Sequence, residues 1–181
     1  MWGTGVSTAR AQRQLRASLE ERISHHILPV ALGSDVPSKG LPVSIPGAGQ
    51  ALGILQIPRI RLDAVVVNGV SAADLRKGPG HYLATSYPWE AGGAVAIAGH
   101  RTTYGHPFWS LDKLRAGDLV SLVTPYGTFR YRVTGTRDIL PSERWVLRET
   151  AEPTLVLTTC TPRFSASRRL VVFAARIDAG G

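Results

Sequence analysis

The sequence predicts a mainly β domain, either a closed barrel or a sandwich, preceded by a helix and an extended arm. From residue 51 onward, short apolar runs alternate with turn residues, as in "GILQIPRI", "LDAVVVNGV" and "TLVLTTC". Runs of this length between turn residues are typical of β-strands, and many of them with few helices favour a barrel or a sandwich. Apolar residues make up 44% of the 181 residues, which is enough for one domain with a sizeable core.

The first part of the chain predicts a helix. Leu15, Leu19, Ile23 and Ile27 recur at four-residue intervals between arginines and glutamines, which indicates a narrow apolar stripe over about residues 7–27. The following segment is rich in Pro, Gly and Ser, as expected of a linker or wrapping arm. We therefore divide the chain into an N-terminal linker helix (1–28), a Pro/Gly-rich arm (29–50) and a β domain (51–181).

The β domain is expected to have about seven strands and a few short helices. "GAVAIAGH" has the continuous small apolar run of a buried strand. "LVSLVTP" and "GTFRYRVTGTRDIL" alternate like a half-exposed hairpin, and "PSERWVLRETAEP" predicts a long connection. "TLVLTTC" and "RLVVFAARI" then close the domain.

The net charge of +8 is compatible with nucleic acid, an anionic membrane surface or an acidic wall polymer as a partner. The arginines are spread along the chain, and the aromatic residues lack the stacking pattern of RNA-binding proteins. We therefore expect no nucleic-acid binding. No apolar stretch reaches the roughly 18 residues of a spanning helix, and no signal peptide opens the sequence.

The single cysteine, Cys160, ends one predicted strand, and Arg169 lies near the start of the next. If these strands form an antiparallel hairpin, the two residues oppose each other with Cα atoms on the order of 5 Å apart. A guanidinium near a thiol favours the thiolate, the form that attacks carbonyls, and it can donate to an oxyanion. Cys160 is therefore either a nucleophile or a small buried side chain.

A cysteine nucleophile needs a proton carrier, usually a histidine. His100 ends the predicted strand "AVAIAG", so a rigid element positions it, and Gly99 leaves room beside it. A structural role for His100 stays open, as does a zinc site from His100, His106 and Cys160, although those residues lack a recognised ligand spacing. The other four of the five histidines lie on the predicted linker helix or in loops: His25, His26, His81 and His106.

Five motifs carry a resemblance to a known family. "GPGHY", "AGHRTTYG", "LRAGD", "LVLTTCTP" and "TTCTPRFSASRRLVV" resemble the sortases, membrane-anchored cysteine transpeptidases of Gram-positive cell surfaces. The resemblance covers roughly residues 52–177 and is greatest to the class E sortases of actinobacteria, with class D second. It implies a closed sortase-type β-barrel of seven or eight strands with short helices. It also leads us to expect that a membrane anchor precedes this sequence, which begins abruptly.

The resemblance also assigns roles to residues. It makes Cys160 the nucleophile, His100 the general acid and base, and Arg169 the cation that orients the substrate and stabilises the oxyanion. Thr159 matches the threonine of the family's strand-end motif, and Tyr104 matches a tyrosine often found after the histidine. We expect both to contact the substrate.

The implied reaction is cleavage of a sorting signal resembling LPxTG or LAxTG between Thr and Gly, without a metal or cofactor. The thioester is then resolved by an amine of a cell-wall precursor or a pilin, on the extracellular face of the membrane. Two alternatives stay open. One is a cysteine protease in which water resolves the acyl-enzyme. The other is a non-catalytic basic barrel that binds wall polymer or nucleic acid.

Overall fold

Eight strands close into a barrel in the computed structural model, which describes residues 3–27 and 43–177. The strand order around the barrel is β1-β2-β3-β4-β7-β8-β6-β5. The barrel prediction is thus confirmed, and the sandwich alternative is wrong. The strands are β1 (Ala51–Ile57), β2 (Leu62–Asn68), β3 (Gly80–His81), β4 (Ala94–Ala98), β5 (Leu119–Thr124), β6 (Gly127–Ile139), β7 (Thr154–Thr161) and β8 (Arg168–Arg176).

The helices are few. A long helix, α1 (Gly3–Ile27), precedes the barrel, and a short one, α2 (Ala72–Leu75), follows β2. Three 3-10 helices cover Pro58–Ile60, Leu111–Lys113 and Trp145–Leu147. Within the described residues, no helix has the length and apolar character needed to cross a membrane. Most of the predicted Pro/Gly-rich arm, residues 29–42, lies outside the described residues.

The helix α1 is docked on the barrel. Leu19 is fully buried in a cluster with Ala51, Ile54 and Val65 of the first two strands. The Gln12 carboxamide accepts from the Val65 amide at 2.8 Å and donates to the Val65 carbonyl oxygen at 3.0 Å. Because these bonds satisfy backbone groups of β2, the helix covers this face of the barrel.

Side-chain alternation along the strands separates core from surface. In β6, Phe129, Tyr131 and Val133 point into the barrel, while the residues between them are exposed, as the twofold period of a strand requires. The largest fully buried core side chains besides Tyr131 come from four strands and from the loop that precedes β5: Leu52, Leu55, Ile57, Ile97, Phe108, Leu111, Leu122, Leu155 and Leu157.

The strand β4 is covered on both faces. Val95 and Ile97 of β4 belong to the interior core, whereas Ala94 and Ala96 pack into a second cluster outside the barrel wall. This arrangement explains why "AVAIA" is apolar without interruption.

His81 has a structural position. The side chain has no exposed surface, and its two ring nitrogens lie 3.0 Å from the Asn68 Oδ1 and the Ser86 carbonyl oxygen. Burial lowers the pKa of His81 below its ordinary value of 6.5. His81 is therefore enclosed in the fold.

We predict that Leu19→Ala lowers the free energy of unfolding by about 2 kcal/mol, because a fully buried leucine leaves a cavity when it is truncated. Urea unfolding followed by circular dichroism measures the change. Val6→Ala is the matched control, since Val6 lies on the same helix and is 72% exposed; it should stay within about 0.5 kcal/mol of wild type. Equal stabilities for the two variants would mean that α1 is not docked in solution.

Candidate active site

Parallel pairing of β4 with β7 brings His100 beside Cys160. Ala98 is the partner of Thr158 in the register, and the Gly99 amide donates to the Thr158 carbonyl oxygen at 3.0 Å. His100 and Cys160 each lie two residues beyond that pair, so they occupy equivalent positions on strands about 4.8 Å apart. Because side chains alternate, both project from the outer face of the barrel wall.

Antiparallel pairing of β7 with β8 places Arg169 on the other side of the cysteine. Cys160 and Arg169 are directly opposed in the register, as the hairpin interpretation of the sequence predicts. Leu170 and Val172 belong to the interior core, whereas Val171 belongs to the outer cluster. Arg169 therefore shares the outer face with Val171 and with Cys160. The three residues form a row across three neighbouring strand ends.

Arg168 points away from this row. Its Nη2 donates to the Asp138 carbonyl oxygen at 3.1 Å, on the β6 side of β8. Arg169 instead lies over the β7–β8 loop, where Nη1 donates to the carbonyl oxygens of Ala166 and Arg168 at 3.1 and 3.2 Å. The two adjacent arginines thus have different surroundings.

Gly99 allows the chain to turn at the end of β4. A Cβ atom at this position would lie 2.5 Å from Cδ2 of Phe108, whose ring is fully buried. The Phe108 amide in turn donates to the His100 carbonyl oxygen at 3.1 Å. The loop after His100 therefore folds back against the strand end and fixes the backbone of the histidine.

His100 is half-buried, and an aromatic ring supports it. The centroids of the His100 and Tyr104 rings are 5.0 Å apart. Tyr104 has a φ of 50°, a left-handed conformation that is costly for a residue with a large side chain. Burial lowers the pKa of His100 below its ordinary value of 6.5. The neutral imidazole, which can accept a proton, is therefore the favoured form near neutral pH.

A contact chain links Tyr104 to α1. The guanidinium carbon of Arg76 lies 5.8 Å from the centroid of the Tyr104 ring. The Thr8 hydroxyl donates to the Arg76 carbonyl oxygen at 2.8 Å. The first turns of α1 thus reach the surroundings of His100.

Thr159 lies inside the barrel wall. It is 3% exposed, and its hydroxyl donates to the Gly99 carbonyl oxygen at 2.7 Å. This bond joins β7 to the end of β4 immediately before the two reactive side chains. The structure thus gives the hydroxyl a partner within the protein, and this placement differs from the substrate contact expected from the motif.

A largely buried apolar cluster leads to Cys160 along the outer face. It lies on β4, β7 and β8, and the segment 139–147 folds over it. The Tyr82 hydroxyl at its edge is 3.3 Å from the Thr158 hydroxyl. We call this the outer apolar surface, and its members are Tyr82, Ala94, Ala96, Ile139, Val146, Leu147, Val156, Val171 and Phe173.

His106 lies in the exposed part of the loop that follows His100. His106 is exposed, and its ring lies 5.6 Å from the ring of Trp109. In the described part of the chain, no group of three or more His, Cys, Asp or Glu side chains could hold a metal ion.

Sequence reasoning missed the ion pairs behind the row. Arg101 is 5% exposed and pairs with Asp112 at 3.1 Å, and Arg163 pairs with the same carboxylate. It also missed the packing role of segment 139–147, most of which belongs to the predicted connection "PSERWVLRETAEP". The apolar residues of "RWVL" were the available signal for that segment. The buried arginine has no sequence signal, because a charged residue in a loop is normally exposed.

Comparison with known proteins shows the family to which the chain belongs. A family model described as "Sortase domain" matches residues 55–177. The chain belongs to the sortase family. Sortases are cysteine transpeptidases that act on the Gram-positive cell surface, and the family assignment made from the motifs is confirmed.

Sortases of both expected classes are among the relatives. Sortase D of Bacillus subtilis is 36% identical over 137 residues, which cover 73% of this chain and 67% of that protein. Sortase SrtE1 of Streptomyces coelicolor is 30% identical over 145 residues, 72% of this chain. This chain spans 41% of the length of SrtE1.

Solved structures share the fold. The sortase D5 transpeptidase of Clostridium perfringens has a TM-score of 0.76 at 24% identity, covering 93% of this chain and 99% of that chain. Sortase E1 of Streptomyces coelicolor, solved with a tripeptide in its active site, has a TM-score of 0.68 at 29% identity. The match covers 74% of this chain and 92% of the chain in that structure. The eight-stranded barrel is thus the sortase fold.

We predict that Gly99→Ala destabilises the protein by about 1–3 kcal/mol, because the added methyl group would overlap the buried Phe108 ring. It should also slow alkylation of Cys160 by iodoacetamide, since the displaced loop carries His100. Gly135→Ala is the control, because a Cβ atom there would meet nothing within 4 Å. Thermal unfolding of both variants measures the difference, and a fully stable Gly99→Ala variant would contradict the described packing.

Proposed function

We propose that this sortase cleaves a sorting signal of the LPxTG or LAxTG type between Thr and Gly and transfers the new carboxyl end to an amine. The proposal rests on one observation above all. His100, Cys160 and Arg169 form a row across three neighbouring strand ends, where the outer apolar surface terminates. A thiol, an imidazole and a guanidinium in one row are the groups that acyl transfer through a thioester requires.

In the first half-reaction, the imidazole of His100 accepts the thiol proton as the sulfur of Cys160 attacks the threonine carbonyl carbon. The negative charge then develops on the carbonyl oxygen, and the Arg169 guanidinium donates to it. The imidazolium returns its proton to the nitrogen of the departing glycine as the C–N bond breaks. A thioester on Cys160 and a free amine result.

In the second half-reaction, a neutral amine attacks the thioester carbonyl carbon. His100 takes the proton that the amine loses, and the sulfur leaves as the C–S bond breaks and receives that proton from the imidazolium. The lowered pKa of His100 favours this step near neutral pH, because the imidazole must be unprotonated to accept a proton. We propose an amine of a peptidoglycan precursor or of a pilin as the acceptor, at the outer face of the membrane. Membrane attachment stays a prediction from the family resemblance.

The edge of the outer apolar surface, where Tyr82, Leu147 and Phe173 are only partly buried, is the proposed seat of the signal's apolar residues. It lies between the strands and segment 139–147, with Val146 and Leu147 in that segment. Burial of an apolar side chain of the peptide there contributes about 25 cal/mol for each Å² removed from water. The tripeptide in the active site of the Streptomyces coelicolor relative supports a peptide substrate for this chain too.

Tyr104 and Thr159 take supporting positions in the proposal. The Tyr104 ring, which packs on His100, limits rotation of the imidazole. Thr159 joins β4 to β7 through its bond to Gly99. Both residues thereby keep the proton carrier at a constant distance from the sulfur.

We predict that intact-protein mass spectrometry detects an acyl-enzyme on Cys160 when the protein is incubated with signal peptides containing Pro or Ala at the second position. Because the chain has one cysteine, Cys160→Ala should eliminate the adduct. Addition of glycine peptides or aminated wall fragments should then give a ligated product.

His100→Ala should reduce adduct formation by about a hundredfold or more, whereas His106→Ala, a change in an exposed residue, should not. Hydrolysis without ligation for every amine tested would favour a cysteine protease. An unmodified Cys160 with all peptides would refute the proposal.

We predict that Arg169→Ala lowers the single-turnover ligation rate by about a hundred- to a thousandfold, the typical effect of removing one oxyanion donor. Arg169→Lys should also lose much of the rate, because an ammonium lacks the guanidinium fork. Arg168→Ala is the matched control and should stay within about tenfold of wild type, because Arg168 bonds to Asp138 away from the row. A larger loss in Arg168→Ala than in Arg169→Ala would contradict the assignment.

A further inference from the structure

A buried arginine lies directly behind the proposed nucleophile. Arg101 follows His100 in the chain, and its side chain is 5% exposed. Its Nη1 donates to the Cys160 carbonyl oxygen at 3.3 Å, and its Nη2 lies 3.1 Å from Oδ1 of Asp112. Its Nε is buried and has no hydrogen-bond partner within the described structure. A buried guanidinium is costly unless its charge is paired, so Asp112 is the group that holds Arg101 in place.

The same carboxylate holds the loop that follows Cys160. Nη2 of Arg163 lies 3.1 and 3.2 Å from the two carboxylate oxygens of Asp112. The Arg163 guanidinium also donates to the Trp109 carbonyl oxygen and stacks over the Trp109 ring at 4.6 Å. Asp112 therefore connects the residue after His100 with the loop after Cys160.

We propose that Asp112 is a positioning residue of this active site. Through Arg101 and Arg163 it fixes the ends of the two strands that carry His100 and Cys160, and it partly neutralises the positive potential behind them. This inference rests on the proposed function, in which those two side chains exchange a proton.

The charges around the pair determine the sign of the effect. Arg169 faces Cys160 from β8, and Arg101 reaches the Cys160 carbonyl from the loop after β4. On the other side, the Tyr104 ring faces His100, and the Arg76 guanidinium lies beside that ring. These four groups include three cations, and Asp112 is the carboxylate that opposes Arg101. Glu143 of segment 139–147 interacts with Arg168 and Arg137, on the β6 side of β8.

Loss of the Asp112 charge would leave Arg101 and Arg163 unpaired. Unpaired cations stabilise a thiolate and destabilise an imidazolium. Both changes favour a neutral imidazole beside a negatively charged sulfur. A residue that only stabilised the fold would change the amount of active protein and leave the pH dependence unchanged.

The rate of Cys160 alkylation by iodoacetamide, measured against pH, tests the electrostatic part. The chain has a single cysteine, so the reaction reports one thiol and requires no sorting signal. In Asp112→Asn, the midpoint of the alkylation profile should move to lower pH by about half a unit or more. Asp112→Glu, which keeps the charge, should restore the wild-type midpoint.

Asp118→Asn is the matched control. Asp118 accepts from the Arg115 amide at 2.8 Å and lies 4.0 Å from Arg59, so the same change of charge falls on a different part of the loop before β5. Its alkylation profile should match that of wild type. Ligation should fall about ten- to a hundredfold in Asp112→Asn, as expected when reacting groups are displaced, and should be unchanged in Asp118→Asn.

Arg163→Gln keeps the proposal testable if Asp112→Asn does not fold. This variant removes one cation and leaves the pair between Arg101 and Asp112, so the midpoint should move to higher pH. A midpoint in Asp112→Asn equal to that of wild type, or a shift to lower pH in Arg163→Gln, would overturn the proposal. If the variants show the expected alkylation profiles but the wild-type protein ligates no signal peptide, the proposed function would be overturned instead.

Discussion

The pairing of β4 with β7 is the constraint on which the active site depends. These strands are far apart in the sequence, and they run parallel with Ala98 beside Thr158. A shift of one residue would turn either His100 or Cys160 toward the barrel interior, because successive side chains alternate. The register is held by apolar side chains on both faces of β4 and by the Thr159 hydroxyl on the Gly99 carbonyl.

The surroundings of the row combine an uncharged imidazole with several guanidinium groups. Burial lowers the pKa of His100, while Arg169 stands opposite Cys160 and Arg101 lies behind it. Such an arrangement favours negative charge on a substrate oxygen over positive charge on the imidazole. The chemistry that it suits is nucleophilic attack followed by stabilisation of an oxyanion, which agrees with membership of the sortase family.

Local rules of strand pairing were sufficient to predict how Cys160 and Arg169 lie relative to each other. Cys160 and Arg169 lie on consecutive strands, so hairpin geometry alone predicts that they oppose each other, as they do. His100 was chosen from its position at a strand end and from the family resemblance. The pairing of β4 with β7, which brings His100 beside Cys160, could not be predicted from periodicity, because a parallel pair between distant strands has no local signal in the sequence. Arg101 and Asp112 were missed for a related reason, since their burial depends on how two loops fold against each other.

The outer apolar surface and the reactive row come from different parts of the chain. The strands supply His100, Cys160 and Arg169, whereas the cover over the apolar surface is segment 139–147, most of which is exposed. Exposed loops accept substitutions and insertions more readily than barrel strands do. Under the proposed function, substitutions in this loop alone would therefore change which peptide is preferred, while His100, Cys160 and Arg169 stay the same.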